Sequence, residues 1–350
     1  MKIARIFALV LLSGLLVGCA NPFQSSANSP TAPPAETVQP KASATNTPTA
    51  TVPSATHTPL AQLFITLPVL ASALAPTLTP TAAAPTPYAP TVTPTAAPTL
   101  EPDAWKSLPV IPTVSDTDRA IYARGQKAGN NPAAFSKVGD CESHTQWFLT
   151  DFDHNPPLYT LGPYTNLQAV INYFQGSYGR TSLASSPGFT AASVLTPLWA
   201  DPKLCNRNET PLSCEYRLQR PSFALIMLGT NDVPHIDQFE PNMRTIIEFT
   251  IDQGIVPILA TKADDLEGDN SINATIAELA HEYDIPLWNF WRAVQDLPNG
   301  GLQSDSAHLT FGTNHFDSAA SMQEAWPVRN LTALQVLDAV WSGVTEKPYP

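Results

Sequence analysis

The chain has 350 residues, 36 of them proline, and a formal net charge of −12. An acidic balance of that size disfavours nucleic acid and strongly anionic ligands as partners. The last 238 residues, 113–350, hold 14 basic and 27 acidic side chains and are enough for one sizeable core.

The chain opens with two positive charges, Lys2 and Arg5, followed by an apolar run from Ile6 to Val17 broken only by Ser13 and Gly14. That run is too short to span a bilayer and reads as the apolar region of an export signal. It ends in Leu16-Val17-Gly18-Cys19. The arrangement resembles the bacterial lipoprotein signal, in which the cysteine receives lipid and becomes the mature N-terminus. The resemblance implies that Cys19 is lipidated and that the protein lies outside the cytoplasm, held at a membrane or envelope by acyl chains.

Residues 20–112 contain 19 of the prolines, with Thr, Ala and Ser filling most of the rest. Such a composition cannot bury enough apolar surface to offset chain entropy, and proline biases it toward extended backbone. A semi-rigid stalk is expected here. Within it, Leu60–Leu74 (LAQLFITLPVLASAL) is more apolar, but it is short and interrupted by Pro68.

From residue 113 onward, strand-like and helix-like segments alternate. Phe135–Val138 is a short strand candidate. Leu167, Val170, Ile171 and Phe174 stand at helical spacing. Ser222–Leu228 (SFALIML) is a continuous apolar run, as in a strand covered on both faces. Phe239, Met243, Ile246, Ile247 and Thr250 share one helix face, with Gly254 as the stop. Ile255–Thr261 is the next strand, although Pro257 weakens it. Ile272, Ile276, Leu279, Ala280 and Tyr283 give another helix, Pro286–Trp291 (PLWNFW) a last strand, and Leu331–Val344 a closing helix. This alternation predicts an α/β domain, a parallel sheet with helices on both faces. In such sheets ligands sit beyond the carboxyl ends of the strands.

The cysteines divide by position. Cys205 and Cys214 bracket a short polar segment, NRNETPLS, and are expected to form a disulfide in an oxidising compartment. With Cys19 assigned to lipid, Cys141 is left as the odd cysteine of an exported protein. Its fellow candidates for a metal cluster, His144, His308 and His315, show no close-spaced ligand pair, so no metal and no cofactor are expected.

Three of the predicted strands are followed by polar loops of a particular kind. They are Gly139-Asp140-Cys141, Gly229-Thr230-Asn231-Asp232, and, further after the last strand, Asp305-Ser306-Ala307-His308. Acyl transfer needs a nucleophile, a base, a group to orient the base, and donors for the oxyanion, and these loops offer each. In this order the residues resemble the SGNH or GDSL hydrolases, a family of esterases, lipases and carbohydrate deacetylases. The resemblance implies a flavodoxin-like three-layer α/β/α sandwich and ester hydrolysis, with a small acyl ester or acylated carbohydrate as substrate. Carried over by position, Cys141 stands where the family has its nucleophilic serine, His308 is the general base and Asp305 orients it. The oxyanion hole falls to the backbone N–H groups of Cys141 and Gly188 and to the Asn231 side chain, with Gly176 and Gly179 competing for the glycine role. Asp140 shapes the turn.

The thiol at position 141 is the departure. One reading is a cysteine nucleophile that forms a thioester, helped by a helix N-terminus and by His308, with Glu142 opposing the thiolate if it points inward and His144 near enough to tune it. The other is an altered site that binds a glycan or other ligand without turnover. Substitution by Ser143 is disfavoured, because it points away around the helix. Trp147, Phe148, Phe189, Trp199 and Phe316 are candidates for lining a sugar or acyl pocket.

Overall fold

The computed structural model describes residues 100–345. Cys19, the export signal, the Leu60–Leu74 patch and most of the expected stalk lie outside the described residues.

Four strands form the parallel sheet, in the order β1-β2-β3-β4: β1 (Asn131–Gly139), β2 (Pro221–Met227), β3 (Val256–Ala260) and β4 (Leu287–Trp288). A fifth position beside β1 is filled by a single parallel bridge. Gly139 N–H donates to Ala184 O and Ser186 N–H to Gly139 O. With that bridge included, the first strand lies inside the sheet and the chain returns to both sides of it, which is the flavodoxin-like arrangement.

Nine α-helices are described: α1 (Asp116–Ala128), α2 (Cys141–His144), α3 (Gln168–Tyr173), α4 (Ala191–Val194), α5 (Pro211–Gln219), α6 (Ile236–Asp252), α7 (Ser271–Glu282), α8 (Phe290–Val294) and α9 (Ala325–Thr345). Their ends follow local chemistry. Ser115 and Asp118 form a reciprocal capping box at the start of α1, and Gly129, at φ 84°, stops it. Thr210 and Ser213 cap α5 in the same way, with Pro211 in its first turn.

Alternation along the buried strands directs the two faces of the sheet. Phe135 and Phe223 are paired neighbours and share one face. They pack edge-on against Phe174, while Tyr122 of α1 stacks on Phe223 and Tyr173 of α3 stacks on Trp341 of α9. The opposite face takes Ser136, whose hydroxyl donates to the buried Glu215 of α5, and the packed pair α6 and α7. Helices therefore cover both faces, as the alternating pattern requires.

Pro257 is accommodated by register. Leu259 N–H donates to Pro286 O and Thr261 N–H to Trp288 O, so residues of this parity direct their N–H toward β4. Paired β4 residues begin only opposite Leu259, and the donor that Pro257 lacks falls before them.

Three expectations are corrected. The strand expected over 286–291 shrinks to two residues. Asn289 leaves the sheet to cap α8, accepting from Arg292 N–H while its amide donates to Trp105 O and Leu108 O. The stalk boundary at residue 112 also moves toward the N-terminus. Residues 100–112 lie on the domain, Trp105 is buried against Trp291 at 5.0 Å, and Leu100 N–H donates to Glu278. The helix after β1 is a single turn, Cys141–His144, too short to bring a sizeable dipole to Cys141. Among the described residues no helix is long and apolar enough to cross a membrane.

Candidate active site

The three polar loops reach one another through a chain of hydrogen bonds at the carboxyl edge of the sheet. At the end of β1, Asp140 caps α2 by accepting from Glu142 N–H at 3.1 Å, and its carbonyl accepts from Ser143 and His144. Burial pushes the Asp140 carboxyl up to about 6, against the pull of Arg329. A Cβ on Gly139 would stand 2.3 Å from Ser143 Oγ and 2.4 Å from Met227 O, so only glycine lets this turn close.

Both carboxylate oxygens of Glu142 are engaged by partners from distant parts of the chain. Its Oε2 receives Arg329 Nη1 at 2.8 Å, and its Oε1 receives the backbone N–H of Leu309 at 3.1 Å. Burial raises the Glu142 carboxyl while the Arg329 guanidinium draws it back. Arg329 is wholly buried, lying over Phe148 at 4.4 Å, Trp326 at 5.3 Å and Phe290 at 5.7 Å. A buried guanidinium requires such partners, because desolvation otherwise outweighs attraction. Ser143 is buried, with its hydroxyl accepting from Arg329 at 3.4 Å. His144 turns toward the neighbouring segment: its Nδ1 lies 2.7 Å from Ser185 O. A carbonyl only accepts, so that nitrogen carries the proton.

Cys141 itself is disulfide-bonded and is not a free thiol. The expectation of an odd thiol is corrected by that bond.

Asp305 and His308 sit on a loop shaped by a bridge between Leu302 and Leu309 and by Gln303 N–H donating to His308 O. No helix begins at Ser306, which is left-handed at φ 59°. His308 Nδ1 is 2.6 Å from Asp305 Oδ2, while Asp305 Oδ1 accepts from the N–H groups of Ala307 and His308. Burial works against the Asp305 carboxylate, but these three hydrogen bonds outweigh it and hold the group down at about 2. An ionised partner on Nδ1 keeps the proton there and makes Nε2 the basic nitrogen of the neutral ring.

The Gly229–Asp232 loop meets the segment around Gly188. Asn231 Nδ2 donates to Phe189 O at 3.2 Å, and Asp232 Oδ1 accepts from Ala191 N–H at 2.9 Å. The Asp232 carboxyl is pushed up to about 6, chiefly by burial, and its Oδ2 is a buried oxygen without a hydrogen-bond partner among the described residues. Thr230 Oγ1 donates to Asp264, which is ion-paired with the buried Lys262. Gly188 has φ +79°, and a Cβ there would meet nothing within 4 Å. Gly176 and Gly179 lie elsewhere, both donating to Asp153.

Of the aromatic candidates, Phe148, Phe189 and Phe316 are buried in the core, Trp147 is partly buried against Phe311, and Trp199 is largely exposed beside Phe189. The expected disulfide between Cys205 and Cys214 is present. The one group of close metal-ligand types among the described residues is Cys205, Glu209 and Cys214, and both of its sulfurs are in that bond. A groove of about 440 Å³ beside α6 and α7, lined by Ile236, Phe239, Arg244 and Thr275, contains none of the predicted site residues.

Glu142 and Arg329 are the residues that sequence reasoning missed. An acid beside the predicted nucleophile was visible, but its partner stands 187 positions away on a helix that is buried along most of its length.

No family model matches the sequence, and no curated protein matches it. Among solved structures the chain is similar to a GDSL-like lipase from Bacteroides thetaiotaomicron, with 15% identity, 63% of this chain and 98% of that chain covered, and a TM-score of 0.38. It is similar also to a catalytic mutant of an acetylxylan esterase from Geobacillus stearothermophilus, with 15% identity, 61% and 96% covered, and a TM-score of 0.38.

Proposed function

We propose that residues 100–345 form an SGNH-type ester hydrolase domain acting on acyl or acetyl esters, carbohydrate esters among them. One observation carries the reading: loops far apart in the chain are tied to one another at the carboxyl edge of the sheet. Glu142 joins the β1 turn to the His308 loop, Ser186 joins Gly139 to the segment before Gly188, and Asn231 and Asp232 join that segment to the loop after β2.

In the proposed cycle an external thiol reductant first opens the disulfide at Cys141; the freed thiol passes its proton to His308 Nε2, and the resulting thiolate attacks the ester carbonyl. A C–S bond forms, and the tetrahedral oxyanion is met by backbone N–H groups and the Asn231 amide. The C–O bond to the alcohol then breaks, and the alcohol leaves with a proton from His308. Water, deprotonated by His308 Nε2, attacks the thioester and restores the thiolate. Asp305 holds the imidazole in the required tautomer throughout.

The disulfide at Cys141 favours a second reading, a domain that binds an acylated ligand without turnover. Hydrolysis of a short-chain aryl ester separates the two, measured with and without a thiol reductant for the natural chain, Cys141→Ser and Cys141→Ala. Hydrolysis by the natural chain only after reduction, faster hydrolysis by Cys141→Ser and none by Cys141→Ala support the esterase. No turnover in any of the three, with binding to an acetylated polysaccharide retained, supports the binder.

The proposal extends to location. The charged start, apolar run and Leu16-Val17-Gly18-Cys19 support an exported protein lipidated at Cys19, a modification that leaves Cys19 no sulfur for a disulfide with Cys141 and so belongs with the reduced form of Cys141; the proline-rich composition supports a stalk between anchor and domain. Release of Cys19→Ala from the membrane fraction is the expected result.

A further inference from the structure

We infer that Glu142 is a positioning residue that sets the separation between Cys141 and the His308 imidazole. The inference rests on the ester-hydrolase reading for its catalytic meaning, but its geometry stands independently.

Glu142 follows Cys141 directly, and the group it receives, Leu309 N–H, follows His308 directly. One carboxylate therefore spans the two loops that carry the proposed nucleophile and base, one residue from each. Its other oxygen is fixed from beneath by Arg329, which is itself wedged among Phe148, Phe290 and Trp326 and cannot swing. The far side of the His308 loop is anchored to the same helix, with Trp326 N–H donating to Thr310 O and Ala325 N–H to Thr310 Oγ1. Helix α9 thus holds the base loop twice, once directly and once through Glu142. A partner needed only to neutralise Arg329 would have no reason to use its second oxygen on that backbone N–H. Of the charged groups that act on this carboxylate, Arg329 is of opposite sign and Asp140 and Asp264 are of the same sign.

The experiment uses the full chain with two variants. Glu142→Asp keeps the charge but is one methylene short of reaching both partners. The double variant Glu142→Leu with Arg329→Met removes the pair while keeping the volume apolar, which buried ion pairs often tolerate. Two quantities are read: the imidazole nitrogen signals of His308 by NMR, assigned by their loss in His308→Gln, and kcat and KM on an aryl ester under reductant. A displacement of about 1 Å at a reacting group can cost roughly 100-fold in rate, so both folded variants are expected to lose between about tenfold and 100-fold in kcat. KM should stay close to that of the natural chain, and the His308 signals should move. If the double variant does not fold, Glu142→Asp decides alone. Natural kcat and unmoved His308 signals in a folded variant would overturn the inference. If the natural chain shows no turnover at all, the esterase reading fails, while the His308 signals still decide whether Glu142 positions the ring.

Discussion

Asp305 accepts from His308 twice, through the ring Nδ1 at 2.6 Å and through the backbone N–H at 3.0 Å. The acid thereby fixes both the tautomer of the ring and the loop conformation that presents it. Replacing Asp305 with Asn keeps an acceptor but allows the amide to receive the wrong tautomer. Under the esterase reading kcat is expected to fall by about 10³–10⁴, with KM little changed. Steady-state kinetics under reductant measure this. The same carboxylate gives a pH expectation. Its folded value, about 2, lies below the ordinary 3.8, so its stabilising contribution is complete above the ordinary value and is lost as pH falls through about 2. The side chain is 45% exposed, so solvent screening keeps that contribution small.

Asn231 donates one amide hydrogen to the Phe189 carbonyl, which leaves its other amide hydrogen for the proposed oxyanion. Removing one such donor typically costs about 10²–10³ in kcat, and Asn231→Ala is expected to fall in that range. A similar loss of structure without loss of rate would count against the oxyanion role. Thermal unfolding run alongside the kinetics distinguishes them.

Asp232 contributes the opposite pH dependence to that of Asp305. Its folded value is raised to about 6, so between the ordinary 3.8 and about 6 the unfolded chain releases its proton first. Stability should therefore decline as pH rises through that window. Asp232→Asn keeps an oxygen for Ala191 N–H and removes the buried charge. It is expected to flatten the decline and to raise stability at neutral pH by about 1–2 kcal/mol. Urea unfolding at pH 4, 5, 6 and 7 is the measurement, and an unchanged slope would refute the assignment.

Trp105 tests where the domain begins. It is 3% exposed, with its ring against Trp291 and its carbonyl receiving the Asn289 amide. Trp105→Ala is expected to cost about 3–5 kcal/mol, as for other large core truncations. A cost near zero by denaturant unfolding would return residues 100–112 to the stalk.

Much of the fold was legible because burial and period leave marks in short windows. The run from Ser222 to Leu228 is strand β2 almost to the residue, and the stripe from Phe239 to Thr250 is the buried face of α6. Errors arose where a side chain overrode its neighbourhood. PLWNFW reads as a strand by apolarity, yet Asn289 within it is worth more as a cap and as a tie to Trp105 and Leu108. Proline content averaged over 20–112 hid a segment that packs through one tryptophan. Asp305, His308, Asn231 and Gly188 stand in the sequence as an ordered set of loop residues, and hydrogen bonds beside them tie those loops together. The Glu142–Arg329 pair was not legible, since nothing local announces which charge will be buried with which.

Pro257 has a reach beyond its own strand. Carrying the β3–β4 pattern back two residues would direct an N–H at position 257 toward the carbonyl of Asp284. With no donor there, that carbonyl instead receives the hydroxyl of Ser115, and the Asp284 carboxylate receives Thr117. The turn between α7 and β4 is in this way stitched to the N-terminus of α1 through two hydroxyls.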